Sequence, residues 1–220
     1  MDTGYIPEIS TTVPPTSNKA YTITCLNCWT NFQLQKANIS VSRQQRYLNK
    51  PMQETDIKHS FAPIITKNAS ILILGSIPGD KSIAENEYYA HPRNRFWNLL
   101  ARLTGNEPAD KYTEKIKILT ENGISLWDVA ERAVRKGSMD SSIKEYAVND
   151  IDGLLTGNPS IKIVIFNGKT AERFYDSNFS RRSNIEYRTM PSTSPANAAY
   201  NMERLADKWK IITQYTKPAK

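Results

Sequence analysis

Two apolar runs do most to restrict what this 220-residue chain can fold into. One is Ile71-Leu72-Ile73-Leu74, closed by Gly75; the other is Ile161-Lys162-Ile163-Val164-Ile165-Phe166. Near-continuous runs of this length suit strands buried on both faces, which a parallel sheet covered by helices provides. Residues 124–127 and 185–190 read as two further strands. Helical stripes lie between them. Phe96, Leu99, Leu100 and Leu103 fall at i, i+3, i+4 and i+7 in a helix that starts near Asn94 and stops at Gly105. Tyr112, Ile116 and Leu119 mark a second helix, 149–156 a short third, 168–175 a fourth, and Met202 to Ile212 the last. Strands separated by helices imply right-handed crossovers. The expected fold is α/β, a three-layer sandwich with a central four-stranded parallel sheet and helices on both faces. Ligands in such sheets bind beyond the carboxyl ends of the strands. That directs attention to the loops at 75–94, 128–142, 167–169 and 191–198.

The first 68 residues read differently. They are rich in Thr, Ser, Asn, Gln and Pro, and Val13-Pro14-Pro15-Thr16 is a poor start for a helix or central strand. The expectation is an irregular N-terminal extension over 1–68, with short structured pieces around 21–32 and 42–48, and one α/β domain over 69–220. Two cysteines cannot build a disulfide framework, and Cys25-x-x-Cys28 with two histidines falls short of a closed zinc site. No metal and no cofactor are expected. No stretch approaches the ~20 apolar residues that span a bilayer, and no basic-then-apolar leader opens the chain. A membrane partner is therefore not expected, and the expected location is cytoplasmic, or nuclear in a eukaryote. The net charge of +7 favours a polyanionic partner.

Several familiar motifs fail on spacing. Gly75-Ser76-Ile77-Pro78-Gly79 is G-x-x-x-G, not the dinucleotide fingerprint. Gly168-Lys169-Thr170 looks like the end of a P-loop, but Ile163 stands where the first glycine belongs. The zinc deaminase signature is absent. The densest segment is Tyr88-Tyr89-Ala90-His91-Pro92-Arg93-Asn94-Arg95-Phe96-Trp97. Asn94 suits a helix N-cap, and Phe96 and Trp97 suit a core. The tyrosines and His91 precede the helix and have no face of it to join. In a basic protein they fit base stacking and phosphate contact.

At these residues the chain resembles the uracil-DNA glycosylase superfamily, and within it the hypoxanthine-DNA (deoxyinosine) glycosylase branch. The match covers roughly 70–215. It rests on Ile73 through Gly79, Tyr88 through Trp97, Leu126-Trp127-Asp128-Val129, Gly137 through Ser141, Ile165 through Thr170, and Pro191 through Asn197. The resemblance implies a monofunctional glycosylase of base excision repair. It hydrolyses the N-glycosidic bond of deoxyinosine, releases hypoxanthine and leaves an abasic site. Deaminated DNA is then the partner, and a monomer the expected state. The base must leave the stack before its C1′ can be reached.

The resemblance also implies roles. Other branches place the water-holding residue where this chain has Ile77, which cannot hold one; the hypoxanthine branch moves it to the position of Asn94. Asn94 is therefore the expected catalytic residue, against the plain alternative of a helix cap, with Asp80 and Asp128 as substitutes. Ser76 and Ile77, through backbone N–H groups, with Tyr89, His91 and Asn167, are expected at the base. The alternative for Asn167 is an Asn-Gly turn. Pro78, Arg93, Lys169, Pro191, Ser192, Thr193, Ser194 and Asn197 are expected at the DNA backbone or its wedge, with Arg95 a further phosphate contact. Met190 replaces the histidine that helps the base depart in other branches. Two rival readings follow: a uracil- or xanthine-releasing glycosylase of broader specificity, and a catalytically silent DNA-binding domain of the same fold. A third takes the N-terminal segment as a docking arm for a protein partner.

Overall fold

The computed structural model describes residues 57–216. The pieces expected around 21–32 and 42–48, and the Cys25–Cys28 pair, lie outside them. The described elements are β1 (Ile57–His59), β2 (Ile71–Gly75), α1 (Asp80–Glu85), α2 (Phe96–Thr104), α3 (Tyr112–Glu121), β3 (Ile124–Asp128), β4 (Ala130–Arg135), β5 (Ile143–Val148), α4 (Ile151–Gly157), β6 (Ile163–Asn167), α5 (Lys169–Asn178), β7 (Glu186–Met190) and α6 (Met202–Trp209). Among the described residues no helix is long and apolar enough to cross a membrane.

The main sheet has the order β3-β2-β6-β7, with every neighbouring pair parallel. β2 and β6 are buried at every position, as their apolar runs require. Alternate residues enter opposite layers. Ile71 and Ile73 join Phe96, Leu99, Leu100, Leu119, Leu205 and Trp209, so α2, α3 and α6 cover one face. Leu72 and Leu74 join Val129, Ile151, Leu155, Phe174 and Tyr175, so α4 and α5 cover the other. The three-layer sandwich with a four-stranded parallel sheet is the architecture observed.

A second sheet, antiparallel and of order β1-β4-β5, lies outside that expectation. The segment 128–142, read as a ligand loop, contains β4 over Ala130–Arg135. Ala-Glu-Arg-Ala-Val-Arg has too many charges to announce a strand, and antiparallel partners on both sides supply what local propensity does not. β1 also moves the domain boundary toward the N-terminus of position 69. Ile57 pairs with Val134, and Ile64 bridges Leu126 with both N–H···O distances at 2.9 Å. The Trp127 indole N–H donates to the Phe61 carbonyl at 3.0 Å, and the Thr66 hydroxyl to the Ile124 carbonyl at 2.6 Å. Phe61 meets Tyr88 edge-on at 5.1 Å between centroids.

From β2 the chain winds outward to β3, and from β6 outward to β7 on the opposite side. The direction reverses between β2 and β6, where an open parallel sheet leaves a crevice at its carboxyl edge. Gly75 and Asn167 end these two strands side by side. A chain beginning at Ala69 lacks all of these contacts, which one beginning at Ile57 keeps. The shorter should melt about 10 °C lower, because losing the Phe61 contact alone costs about 3 kcal/mol. Calorimetry of the two truncations checks this.

Candidate active site

The crevice is a cavity of about 380 Å³. Its wall combines the β2 loop (Gly75 to Gly79), Tyr88, Tyr89, His91 and Asn94 ahead of α2, Asp128 at the end of β3, and Asn167 at the end of β6. Ser138 to Ser141 close one side, and Ser192 with Ser194 to Asn197 the other. All four loop regions indicated by topology meet here. Among the described residues, no group of three or more His, Cys, Asp or Glu is placed to hold a metal ion.

Asn94 lines the cavity and also helps begin α2. Its Oδ1 accepts the Phe96 N–H at 3.0 Å, while its own N–H donates to the His91 carbonyl at 2.7 Å. A carboxamide oxygen has a second lone pair, so this one bond leaves capacity for a water. His91 lines the cavity with Nδ1 accepting the Arg93 N–H at 3.1 Å, which assigns the remaining proton of a neutral ring to Nε2. The Ile77 side chain is buried in the second core, so only its backbone can face a ligand. Ser76 donates its hydroxyl to Asp140, at 2.9 and 3.0 Å from the two carboxylate oxygens.

Other expected residues are also engaged by the scaffold. Asn167 is committed twice to Thr193: its Nδ2 donates to the hydroxyl at 3.0 Å, and its Oδ1 accepts the backbone N–H at 2.9 Å. The carboxamide thus pins the 191–197 loop to the end of β6. Thr193 is fully buried, and its side chain faces Asn167, not the solvent where a DNA backbone would lie. Arg95 is likewise consumed. Its Nε donates to the Thr193 carbonyl at 3.3 Å, and its terminal nitrogens to the Tyr200, Ser194 and Asn197 carbonyls. A guanidinium spent on four carbonyls of one loop is a scaffold. Within that loop Asn197 donates to the Ser192 carbonyl at 2.9 Å, and the Pro191 carbonyl accepts the Trp209 indole N–H at 3.0 Å. Gly168, at φ +105°, lets the chain turn beneath the loop, where a Cβ would meet the Ser192 Cβ at 3.1 Å. Pro78 lines the cavity; Arg93 and Lys169 are exposed and stand outside its wall. Asp80 faces outward in an ion pair with Lys58 at 3.0 Å, which removes it as a water-holding substitute.

Two acidic groups and one arginine shape the interior. Arg135, 1% exposed, donates from Nε to the Gly137 carbonyl at 2.7 Å and from a terminal nitrogen to the Pro78 carbonyl. Its other terminal nitrogen lies 3.8 Å from Asp140. It therefore joins the β2 loop to the 137–141 turn, two parts of the cavity wall. Sequence reasoning missed it, because one arginine in a polar stretch has no periodic signature. Asp128 is 3% exposed, and burial pushes its carboxyl up to about 7; Asp140 adds to the rise, while Ser60 and Arg135 oppose it. Burial also holds the Asp140 carboxyl above the usual range, against Ser76 and Arg135.

A family model described as the uracil DNA glycosylase superfamily matches residues 62–215. The chain belongs to the uracil DNA glycosylase superfamily. It is similar to two proteins named hypoxanthine DNA glycosylase. It is 36% identical to the one from Methanosarcina acetivorans over 72% of this chain and 99% of that one. It is 38% identical to the one from Methanosarcina barkeri over 64% and 88%. A solution NMR structure of a Methanosarcina acetivorans protein named after uracil DNA glycosylase superposes with a TM-score of 0.64, at 34% identity over 72% of this chain and 98% of that one.

Within this superfamily member, two substitutions test the interior. Arg135→Met strands two carbonyls and a carboxylate, and should lower the melting temperature by about 10 °C, from a loss of about 3–5 kcal/mol. Asp128 binds its proton more tightly folded than unfolded. The folded state therefore loses stability as pH rises from the ordinary carboxylate range to about 7. Asp128→Asn removes that loss. Its melting temperature relative to the parent should climb between pH 5 and pH 8, and calorimetry at both values reads the difference.

Proposed function

We propose that this chain is a monofunctional DNA glycosylase that excises hypoxanthine from deoxyinosine-containing DNA. The observation that carries the reading is the position of Asn94. It shares one cavity, at the carboxyl edge of the sheet, with an aromatic residue, buried polar groups and a loop that can face a DNA backbone. The relatives' names agree with this substrate. The enzyme is a hydrolase acting on an N-glycosyl bond. In the proposed step, the flipped nucleotide fills the cavity with its base inward and C1′ toward Asn94. A water oriented by the Asn94 carboxamide supplies its oxygen to C1′. The C1′–N9 bond breaks, its electron pair leaves with the base, and the water's second proton ends on that base. An amide is a poor general base. Rate therefore comes from placing the water and from stabilising the departing base and the sugar's growing positive charge.

The exposed Arg93 and Lys169 stand outside the wall, where phosphates of a docked duplex would pass, and Lys81 is on the rim. Ser192, Ser194 and Asn197 present a loop already rigid before DNA arrives, with Pro195 and Ala196 at the cavity edge as the wedge. A monomer acting on deaminated DNA, wherever the cell keeps that DNA, is the working state.

The test is single-turnover base release from a duplex holding one deoxyinosine, with the abasic product cleaved by alkali. Asn94→Ala should slow release by at least about a hundredfold. Losing its bond to the Phe96 N–H should lower the melting temperature by only about 3 °C. Release of neither hypoxanthine nor uracil by the folded parent would sink the proposal in favour of a silent DNA-binding domain.

A further inference from the structure

Tyr89 carries a local conflict that its expected stacking role does not explain. Its backbone sits at φ +54°, a left-handed conformation that is unusual for a bulky residue. Its ring stacks on Phe96 at 4.0 Å between centroids. That placement drives the hydroxyl inward, where it is shielded from solvent and has no hydrogen-bond partner among the described residues. Strain and an orphaned hydroxyl in one residue mark a position held for a ligand, because buried polar groups otherwise find partners.

The hydroxyl points to the spot that Asp128 also occupies. A Cβ built on Gly75 would lie 2.2 Å from the Asp128 Oδ1 and 3.0 Å from the Tyr89 Oη. Both oxygens thus lean over the bare Cα of Gly75, at the innermost end of β2, and both residues line the cavity. The other carboxylate oxygen, Oδ2, takes only a long bond from the Ser60 hydroxyl, at 3.4 Å. A carboxylate can only accept, and a phenol can donate beside it.

We propose that Asp128 and Tyr89 together read the N–H/C=O edge that deamination creates on a base. This rests on the excision reading above and adds to it the source of selectivity. Adenine presents an amino donor next to a bare ring nitrogen. Its deamination product presents a carbonyl acceptor next to a ring N–H, and uracil stands in the same relation to cytosine. The Asp128 carboxylate accepts the ring N–H and the Tyr89 hydroxyl donates to the carbonyl. An undamaged adenine sets its ring lone pair against the carboxylate and is rejected by that repulsion. Sites with buried hydrogen-bonding groups reject ligands that leave those groups unpaired far more strongly than apolar pockets do. Asn167, expected at the base edge, spends one Nδ2 hydrogen and one Oδ1 lone pair on Thr193 and lines the cavity beside this pair.

The charged and titratable groups around Asp128 are Arg135 of β4, Asp140 of the 137–141 turn, and Tyr88 and Tyr89 ahead of α2, with the Ser60 hydroxyl beside them. With that carboxyl near 7, the accepting form gains population through neutral pH.

The experiment measures single-turnover release from two duplexes. One holds deoxyinosine; the other holds deoxynebularine, whose purine has C–H in place of the carbonyl and a bare ring nitrogen. Parent, Tyr89→Phe and Asp128→Asn are compared. Each variant should lower the hypoxanthine-to-purine rate ratio at least about tenfold, one lost hydrogen bond in a dry site. In the parent the ratio should rise with pH through about 7, and in Asp128→Asn it should not. Tyr89→Phe removes a hydroxyl that the fold leaves unpaired, so its melting temperature should equal or exceed the parent's. Equal slowing on both bases, or an unchanged ratio, overturns the inference and leaves the excision reading standing. A folded parent that releases neither hypoxanthine nor uracil overturns both.

Discussion

A strand buried on both faces has no place for a polar side chain until it ends. β2 and β6 are such strands, and this constraint organises the rest of the molecule. Their interior positions are spent on two apolar layers. Polar groups collect where the strands stop: Asp128, Asn167, the backbone of the Gly75–Gly79 loop, and the side chains other loops bring over that edge. The chemistry is concentrated at the carboxyl edge because the interiors of the two central strands exclude it.

Loops over such an edge need anchors, and two arginines provide them. Arg95 gathers carbonyls of the 193–200 segment, and Arg135 ties the β2 loop to the 137–141 turn. Each holds in place a stretch of backbone with few apolar side chains of its own. A net positive charge says little about which cations meet DNA, since these two are internal fasteners and Arg181 is engaged by Glu172 and Asp176. The rigidity matters for chemistry that depends on placing one water under one carbon, because small displacements there are costly.

The sheet and its helices were legible because hydrophobic periodicity is a local signal. Ile71 to Leu74, Ile163 to Phe166 and the Phe96–Leu103 stripe each declare themselves within ten residues. The antiparallel sheet was not legible: β4 carries Glu131, Arg132 and Arg135, and it is held by β5 on one side and by β1, some seventy residues away, on the other. In the site, Asn94, His91, Tyr89, Ser76 and the 192–197 loop were brought to one cavity as the motifs implied. The role of Arg95 was misassigned, and the anchoring by Asn167 was missed, for one reason. A side chain's chemistry shows what it can bond, and only the fold shows what has already bonded it. Thr193 lies 26 positions from Asn167, and no spacing rule joins them.

Gly75 also constrains how sequences with this site can diverge. A carboxylate oxygen stands where its side chain would begin. While an acid occupies position 128 in this orientation, a side chain at position 75 would have to displace it. If that acid is lost, the Tyr89 hydroxyl, 3.0 Å from the same point, still crowds a side chain there. Positions 75, 89 and 128 should drift as a unit across relatives, a signature that separates chains retaining this interior from those that kept only the fold.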